Sequence, residues 1–224
     1  MGRLVSELDR LGERENTVIV FSSENCGYGP ATDMDPLYGY KGTYFEGGIR
    51  APLFVNWPGV VAPGKISGEP VVGVDFPPTF CAIAGAPLPM QPVDGRSLLP
   101  LLRGETETFG KRPIYWYVSA YLESYGNTEE QLDPLFRARP VEANCISVFK
   151  LKEYYENGHL ALYNLRDDTR ERKNLADEMP EKHDELLSEL HRWQDGIRAK
   201  RPFDKNPAFE EQAERKAIKK AGTN

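Results

Sequence analysis

The chain has 224 residues, 40% of them hydrophobic and 11% aromatic, enough for one large domain or a domain and a half with a real core. Its formal net charge is −6, from 34 acidic and 28 basic residues, and no basic block stands out before the tail, so nucleic acid is not an expected partner. No stretch approaches the ~20 apolar residues of a membrane span. The opening Met1–Arg10 run lacks the apolar core of a secretion signal, and Cys26, Cys81 and Cys145 are too few and too far apart for a disulfide framework or a zinc spacing.

Leu4, Val5, Leu8 and Leu11 share one helical face, which predicts an amphipathic helix closed by Asn16 and Thr17. The run TVIVF, residues 17–21, reads as a short strand apolar on both faces, the pattern of a parallel sheet covered by helices. A helix feeding such a strand is half of a βαβ unit. Its preceding strand is not in the sequence, so the expectation is part of a larger domain. Residues 52–57 predict a second apolar strand, stopped by Pro58-Gly59. Asp75 suits a helix cap, Pro77 and Pro78 fit a first helical turn, and Gly85 suits its end. Residues 95–104 predict a short helix or turn ending at Gly104, and residues 112–119, RPIYWYVS, an aromatic strand.

From about residue 141 the character changes. Two strand-like runs flank Asn157-Gly158, a strong hairpin signal. Pro180 then opens a helix in which Leu186, Leu187, Leu190, Trp193 and Ile197 recur at helical spacing. The expected organisation is an α/β part over 1–140, a small antiparallel-sheet-plus-helix subdomain over 141–200 and a loosely held charged tail over 201–224. No internal repeat is present.

Three stretches together resemble a known family: TVIVFSSEN, KGTYFEGGIRAPLFVNWPG and VVGVDFPPTFCAIAG followed by DGRSLLPLLRG. They look like the C-terminal half of the formylglycine-dependent sulfatases, within the alkaline-phosphatase-like fold. The opening GRLVSELDRLGERENTVIV and the later LALYNLRDDTRERKNLAD agree, so the resemblance covers residues 2–200. It implies an incomplete α/β sandwich with a small C-terminal α+β subdomain. It also implies a parent activity, hydrolysis of sulfate monoesters. In that family hydrated formylglycine attacks sulfur, Ca²⁺ and a lysine hold the oxyanion, and a general acid assists the leaving alcohol. The formylglycine arises in a Cys/Ser-x-Pro/Ala-x-Arg motif. Cys26, Cys81 and Cys145 do not stand in such a motif, nor does any serine. The chain is therefore expected to be the C-terminal portion of a sulfatase-like protein, inactive alone.

Several residues carry the expected chemistry. Glu24 and Asn25, at the carboxyl end of a strand, sit where open α/β sheets place ligands, and oxygen donors suit a hard cation. The resemblance implies half of the Ca²⁺ site here, with Glu24 in place of the family's aspartate. One methylene more moves the carboxylate by roughly 1 Å, against a Ca–O tolerance of tenths. Lys41 resembles the family lysine that contacts the sulfate oxygens; an ammonium offers three donors and a point charge to an oxyanion. Glu46 and Arg50 are expected to form a structural ion pair, around Gly47 and Gly48 with backbone angles closed to other residues.

The blander readings cover the remainder. Asp75 reads as a helix cap and Asp94 as a turn residue. His159 follows a turn, and His183 and His191 read as lying on solvated faces of a helix. Tyr115, Trp116 and Tyr117 read as strand packing rather than as a cleft. The expected partner is a sulfated small molecule or sugar, with self-association through exposed sheet edges; neither nucleic acid nor membrane is expected. A second reading is a degenerate, non-catalytic binding module, favoured by Glu24 for aspartate and Cys26 for the usual glycine. A phosphoesterase of the same superfold is weaker, because EGGIR looks more like a sulfatase. Family members are commonly exported, while the compartment of this chain is not legible.

Overall fold

A computed structural model describes residues 1–124, 135–200 and 210–221. These fall into two compact units: Met1–Ser22 with Pro52–Gly110, and Ser23–Ala51 with Lys111–Asn224.

In the first unit, helix α1 spans Gly2–Leu11 and stops at Gly12, whose φ is 71°. Gly12 N–H donates to Asp9 O and Glu13 N–H to Leu8 O, the pairing that a left-handed glycine permits at a helix end. The helix therefore ends before the expected Asn16–Thr17 boundary, and residues 14–16 form a separate 3-10 turn. Strand β1, Ile19–Ser22, pairs antiparallel with β2, Leu53–Asn56, in register from Ile19↔Asn56 to Ser22↔Leu53. Helix α2, Glu46–Ile49, lies between them in sequence and belongs to the second unit. The expected parallel, doubly covered strand is thus corrected. Within the described residues β1 pairs only with β2, and a two-stranded ribbon leaves surface uncovered. Phe21 and Phe54 stand opposite each other there, 45% and 65% exposed.

Helix α3, Phe76–Ala84, begins on two prolines and ends at Gly85 with φ 65°; α4, Leu99–Arg103, ends likewise at Gly104 with φ 74°. Asp75 precedes α3, but its side chain does not cap it. The preceding 3-10 turn aims the carboxylate elsewhere, and it accepts the N–H groups of Val72 and Arg96, both at 2.9 Å. Thr79 donates to Asp75 O at 2.6 Å and accepts Leu98 N–H at 2.8 Å. The two buried residues thereby fasten α3 to the segment entering α4.

In the second unit, a four-stranded sheet runs in the order β3-β6-β7-β8, every neighbour antiparallel. Its strands are β3 Pro113–Val118, β6 Val141–Ile146, β7 Phe149–Tyr154 and β8 His159–Asn164. Strands β4, Leu122–Glu123, and β5, Phe136–Ala138, form a separate pair. The Asn157-Gly158 hairpin is present: Gly158 takes φ 67° and Asn157 Oδ1 accepts His159 N–H at 2.9 Å. Helix α5, Pro180–Ile197, covers one sheet face. Its Leu186 and Leu190 pack with Ile146, Leu151 and Leu162, all nearly inaccessible. Each such side chain contributes about 1.5–3 kcal/mol on burial. Of the expected tail, residues 201–209 and 222–224 lie outside the described residues; α6 spans Glu211–Ala221, and its Glu214 lies 3.3 Å from Arg139.

Candidate functional site

Every site residue singled out from the sequence lies in residues 23–51 of the second unit. Glu24 is exposed and Asn25 half-buried, in a bend after β1, with Ser23 Oγ donating to Asn25 O at 2.6 Å. Lys41 is exposed, and its backbone N–H donates to Gly27 O at 2.9 Å. The Glu24-Asn25 bend and the Lys41 loop are thus adjacent. Gly39 and Gly42 flank the lysine at φ 83° and 90°, angles that favour glycine.

Helix α2 backs this loop. Gly47 N–H donates to Tyr38 O at 2.7 Å. A Cβ at Gly47 would lie 2.2 Å from Gly39 O, and one at Gly48 would lie 2.2 Å from Thr43 O. Neither glycine has a positive φ. The reason for the pair is close backbone approach, which corrects the expectation of unusual backbone angles.

Glu46 has a different partner from the one expected. Its contact with Arg50 is long, 4.0 Å, and Arg50 is 61% exposed. Lys150 Nζ, fully buried, lies 3.0 Å from Glu46 Oε1, and Glu46 N–H donates to Glu171 Oε2 at 2.6 Å. Glu171 also meets Lys150 at 3.2 Å and Lys152 at 2.8 Å. Two lysines of β7 and two glutamates therefore make a buried cluster that fastens α2 to the sheet. Lys152 also stands 3.2 Å from the centroid of the Phe45 ring, a cation–π contact. Burial, helped by the charge of Lys150, pulls its pKa down to about 7. Beside the cluster, a cavity of about 190 Å³ is lined by Tyr38, Tyr40, Tyr44, Phe45 and Phe136 among others.

Sequence reasoning did not find Lys150, Lys152 or Glu171. The one local signal was Lys150-Leu151-Lys152, a period-2 alternation that aims both lysines at the same face. Nothing local said that the face was buried. Cys26, next to Asn25, is buried, and desolvation together with the charge of Glu46 raises its pKa. Tyr115 stacks on Trp193 at 4.5 Å and Tyr117 meets Tyr155 edge-on at 6.3 Å, so both serve packing. His159 is exposed. His183 contacts the neighbouring Asp184 at 2.9 Å. His191 is not on a solvated face: its Nε2 lies 2.7 Å from Glu153 of β7, because the α5 face that carries it turns toward the sheet.

Ca²⁺ takes six to eight oxygen donors. Glu24 and Asn25 offer side-chain oxygens of the right hardness. Among the described residues no further carboxylate, histidine or cysteine gathers with Glu24 into a group of three. Glu24 and Asn25 by themselves offer fewer side-chain oxygens than Ca²⁺ takes.

Residues 38–200 match the family described as N-sulphoglucosamine sulphohydrolase, C-terminal, and the chain belongs to that family. A sulfatase of Formosa agariphila is 35% identical over 174 residues, 75% of this chain and 30% of that protein. Among solved structures, Ps i-CgsB in complex with k-i-k-neocarrahexaose aligns with TM-score 0.72 and 25% identity over 99% of this chain and 44% of the other. BT4656 in complex with its substrate D-glucosamine-2-N,6-O-disulfate aligns with TM-score 0.66 and 25% identity, covering 92% and 39%. The chain thus spans less than half the length of each.

Proposed function

We propose that this chain is the sulfate-recognising C-terminal share of a sulfatase whose parent reaction is hydrolysis of sulfate monoesters. Lys41 is the residue that donates to the sulfate oxygens. The observation that supports this best is the loop itself. Lys41 reaches solvent while its backbone is held by Gly27 O and its base is braced by α2 through the Gly47–Tyr38 bond. A charged donor on a preorganised backbone is what stabilising an oxyanion requires. Glu24 and Asn25, one loop away, are proposed as a partial Ca²⁺ ligand set. The substrate class is a sulfated sugar, by analogy with the ligand of BT4656. No motif for the formylglycine nucleophile occurs in the 224 residues, so the chain alone is proposed to bind and not to turn over.

A titration decides this. D-glucosamine 6-sulfate is titrated into the chain and followed by NMR, with unsulfated glucosamine as control. Sulfate-dependent shifts that disappear in Lys41→Ala are expected. Equal response to both sugars would overturn the assignment of Lys41. Hydrolysis of 4-nitrophenyl sulfate by the chain would overturn the claim that it does not act alone.

The second reading, a non-catalytic interaction module, is favoured by Glu24 and Cys26, two departures from the family pattern side by side. It is supported if the chain binds neither sugar while remaining folded.

A further inference from the structure

The geometry points to a binding site for a first-row divalent transition ion, Zn²⁺ or Mn²⁺, formed by Glu142, Glu153 and His191. It is separate from residues 23–51. Glu142 on β6 and Glu153 on β7 are direct cross-strand partners. Side chains so placed have Cβ atoms about 4.5–5.5 Å apart. Both point to the sheet face under α5. Asn144, two residues from Glu142, donates to Leu186 O of α5 at 2.8 Å, and Leu151, two from Glu153, lies in the core with Leu186 and Leu190. His191 follows Leu190 on α5 and reaches the same place. Its Nε2 is 2.7 Å from Glu153 Oε2 and 4.0 Å from Glu142 Oε1.

The three donor atoms lie within 4.8 Å of one another. Around an ion with bonds of ~2.1 Å, tetrahedral donors stand roughly 3.4 Å apart. To reach that spacing the 2.7 Å His191–Glu153 pair has to open and the 4.0 Å His191–Glu142 pair to close, each by less than 1 Å. Access is from one side, since Glu142 is fully buried while the His191 and Glu153 side chains are 35% and 22% exposed. One imidazole and two carboxylates suit Zn²⁺ or Mn²⁺, whereas Ca²⁺ prefers an all-oxygen shell. With a hydrogen on Nε2 the imidazole gives Glu153 one hydrogen bond. A metal ion in place of that hydrogen takes an electron pair from all three groups. Bound there, the ion would clamp α5 to β6 and β7.

The test uses the whole chain, stripped with a chelator and titrated with Zn²⁺ by calorimetry. One saturable site is expected, with a raised Tm, and affinity reduced at least about tenfold in His191→Gln and in Glu153→Gln. His183→Ala and His159→Ala should bind as the unsubstituted chain does. No saturable uptake, or uptake unchanged in both His191→Gln and Glu153→Gln, overturns the proposal. Should those two variants fail to fold, Co²⁺ added to the unsubstituted chain decides. A visible d–d band with a paramagnetically shifted imidazole N–H resonance supports the site, and its absence at saturating Co²⁺ overturns it.

Discussion

Lys150 Nζ lies 3.0 Å from Glu46 Oε1, across 104 residues of chain. This pair, with Glu171 behind it, joins the helix that braces the Lys41 loop to the small sheet. Removing one partner strands a buried charge, at a cost of about 3–5 kcal/mol. Lys150→Met is therefore expected to lower the urea midpoint markedly, while Glu46→Leu with Lys150→Met should recover much of the loss. A single-variant effect below about 1 kcal/mol would show that the pair behaves as an exposed one.

Lys152 makes stability depend on pH. An unfolded lysine keeps its proton to about pH 10.4, and the buried Lys152 only to about 7. Between those values the unfolded chain binds the extra proton, so stability rises with pH, by at most about 1.4 kcal/mol per unit. Cys145 works in the opposite sense. Burial pushes its pKa to about 12, so ionisation of the unfolded thiol lowers stability above about pH 8.5. Denaturation series between pH 7 and 8.5 should show a rising urea midpoint, and Lys152→Met should flatten it. The same slope in both proteins would rule out Lys152 as its source.

Gly47 tolerates no side chain. With a Cβ 2.2 Å from Gly39 O, Gly47→Ala must push back the segment that holds Lys41, at about 1–3 kcal/mol. It is expected to lower Tm and to weaken sulfated-sugar binding together. Gly68→Ala, with nothing within 4 Å of the added carbon, is the control. Loss of stability with binding intact would separate α2 from the Lys41 loop.

Glu24 and Asn25 supply too few donors for Ca²⁺. Calorimetry up to millimolar Ca²⁺ is expected to show no saturable heat, and Lys41→Ala should leave thermal stability unchanged because the side chain is exposed. A tight Ca²⁺ site would mean that other groups complete the shell around Glu24.

Phe21 and Phe54 face each other on the β1–β2 ribbon with ring centroids 6.1 Å apart. Exposed paired aromatics on an open strand pair favour association. Light scattering should find oligomers or aggregates, reduced in Phe54→Ser. A sharp monomeric peak for the unsubstituted chain would contradict this.

Much of this architecture was legible in the residues alone. The Asn157-Gly158 hairpin, the α5 helix from Pro180 and the glycine ends of α3 and α4 follow from local rules: a turn that needs φ above zero, a proline at a first turn, apolar side chains at helical spacing. The Lys-Gly-Thr to Gly-Ile-Arg segment likewise carried its family in contiguous residues. Such signals act over a few positions, and sequence displays them directly.

Tertiary structure decided the partners. Glu46 has an arginine four residues on, yet Lys150 holds it. Gly47 and Gly48 are glycines because a backbone passes close by, not because of their own angles. His191 reads as a surface residue from helical spacing, yet meets Glu153 and approaches Glu142. Each of these contacts depends on how strands and helices distant in sequence are brought together. Local periodicity sets which face a side chain occupies, and only packing sets what that face meets.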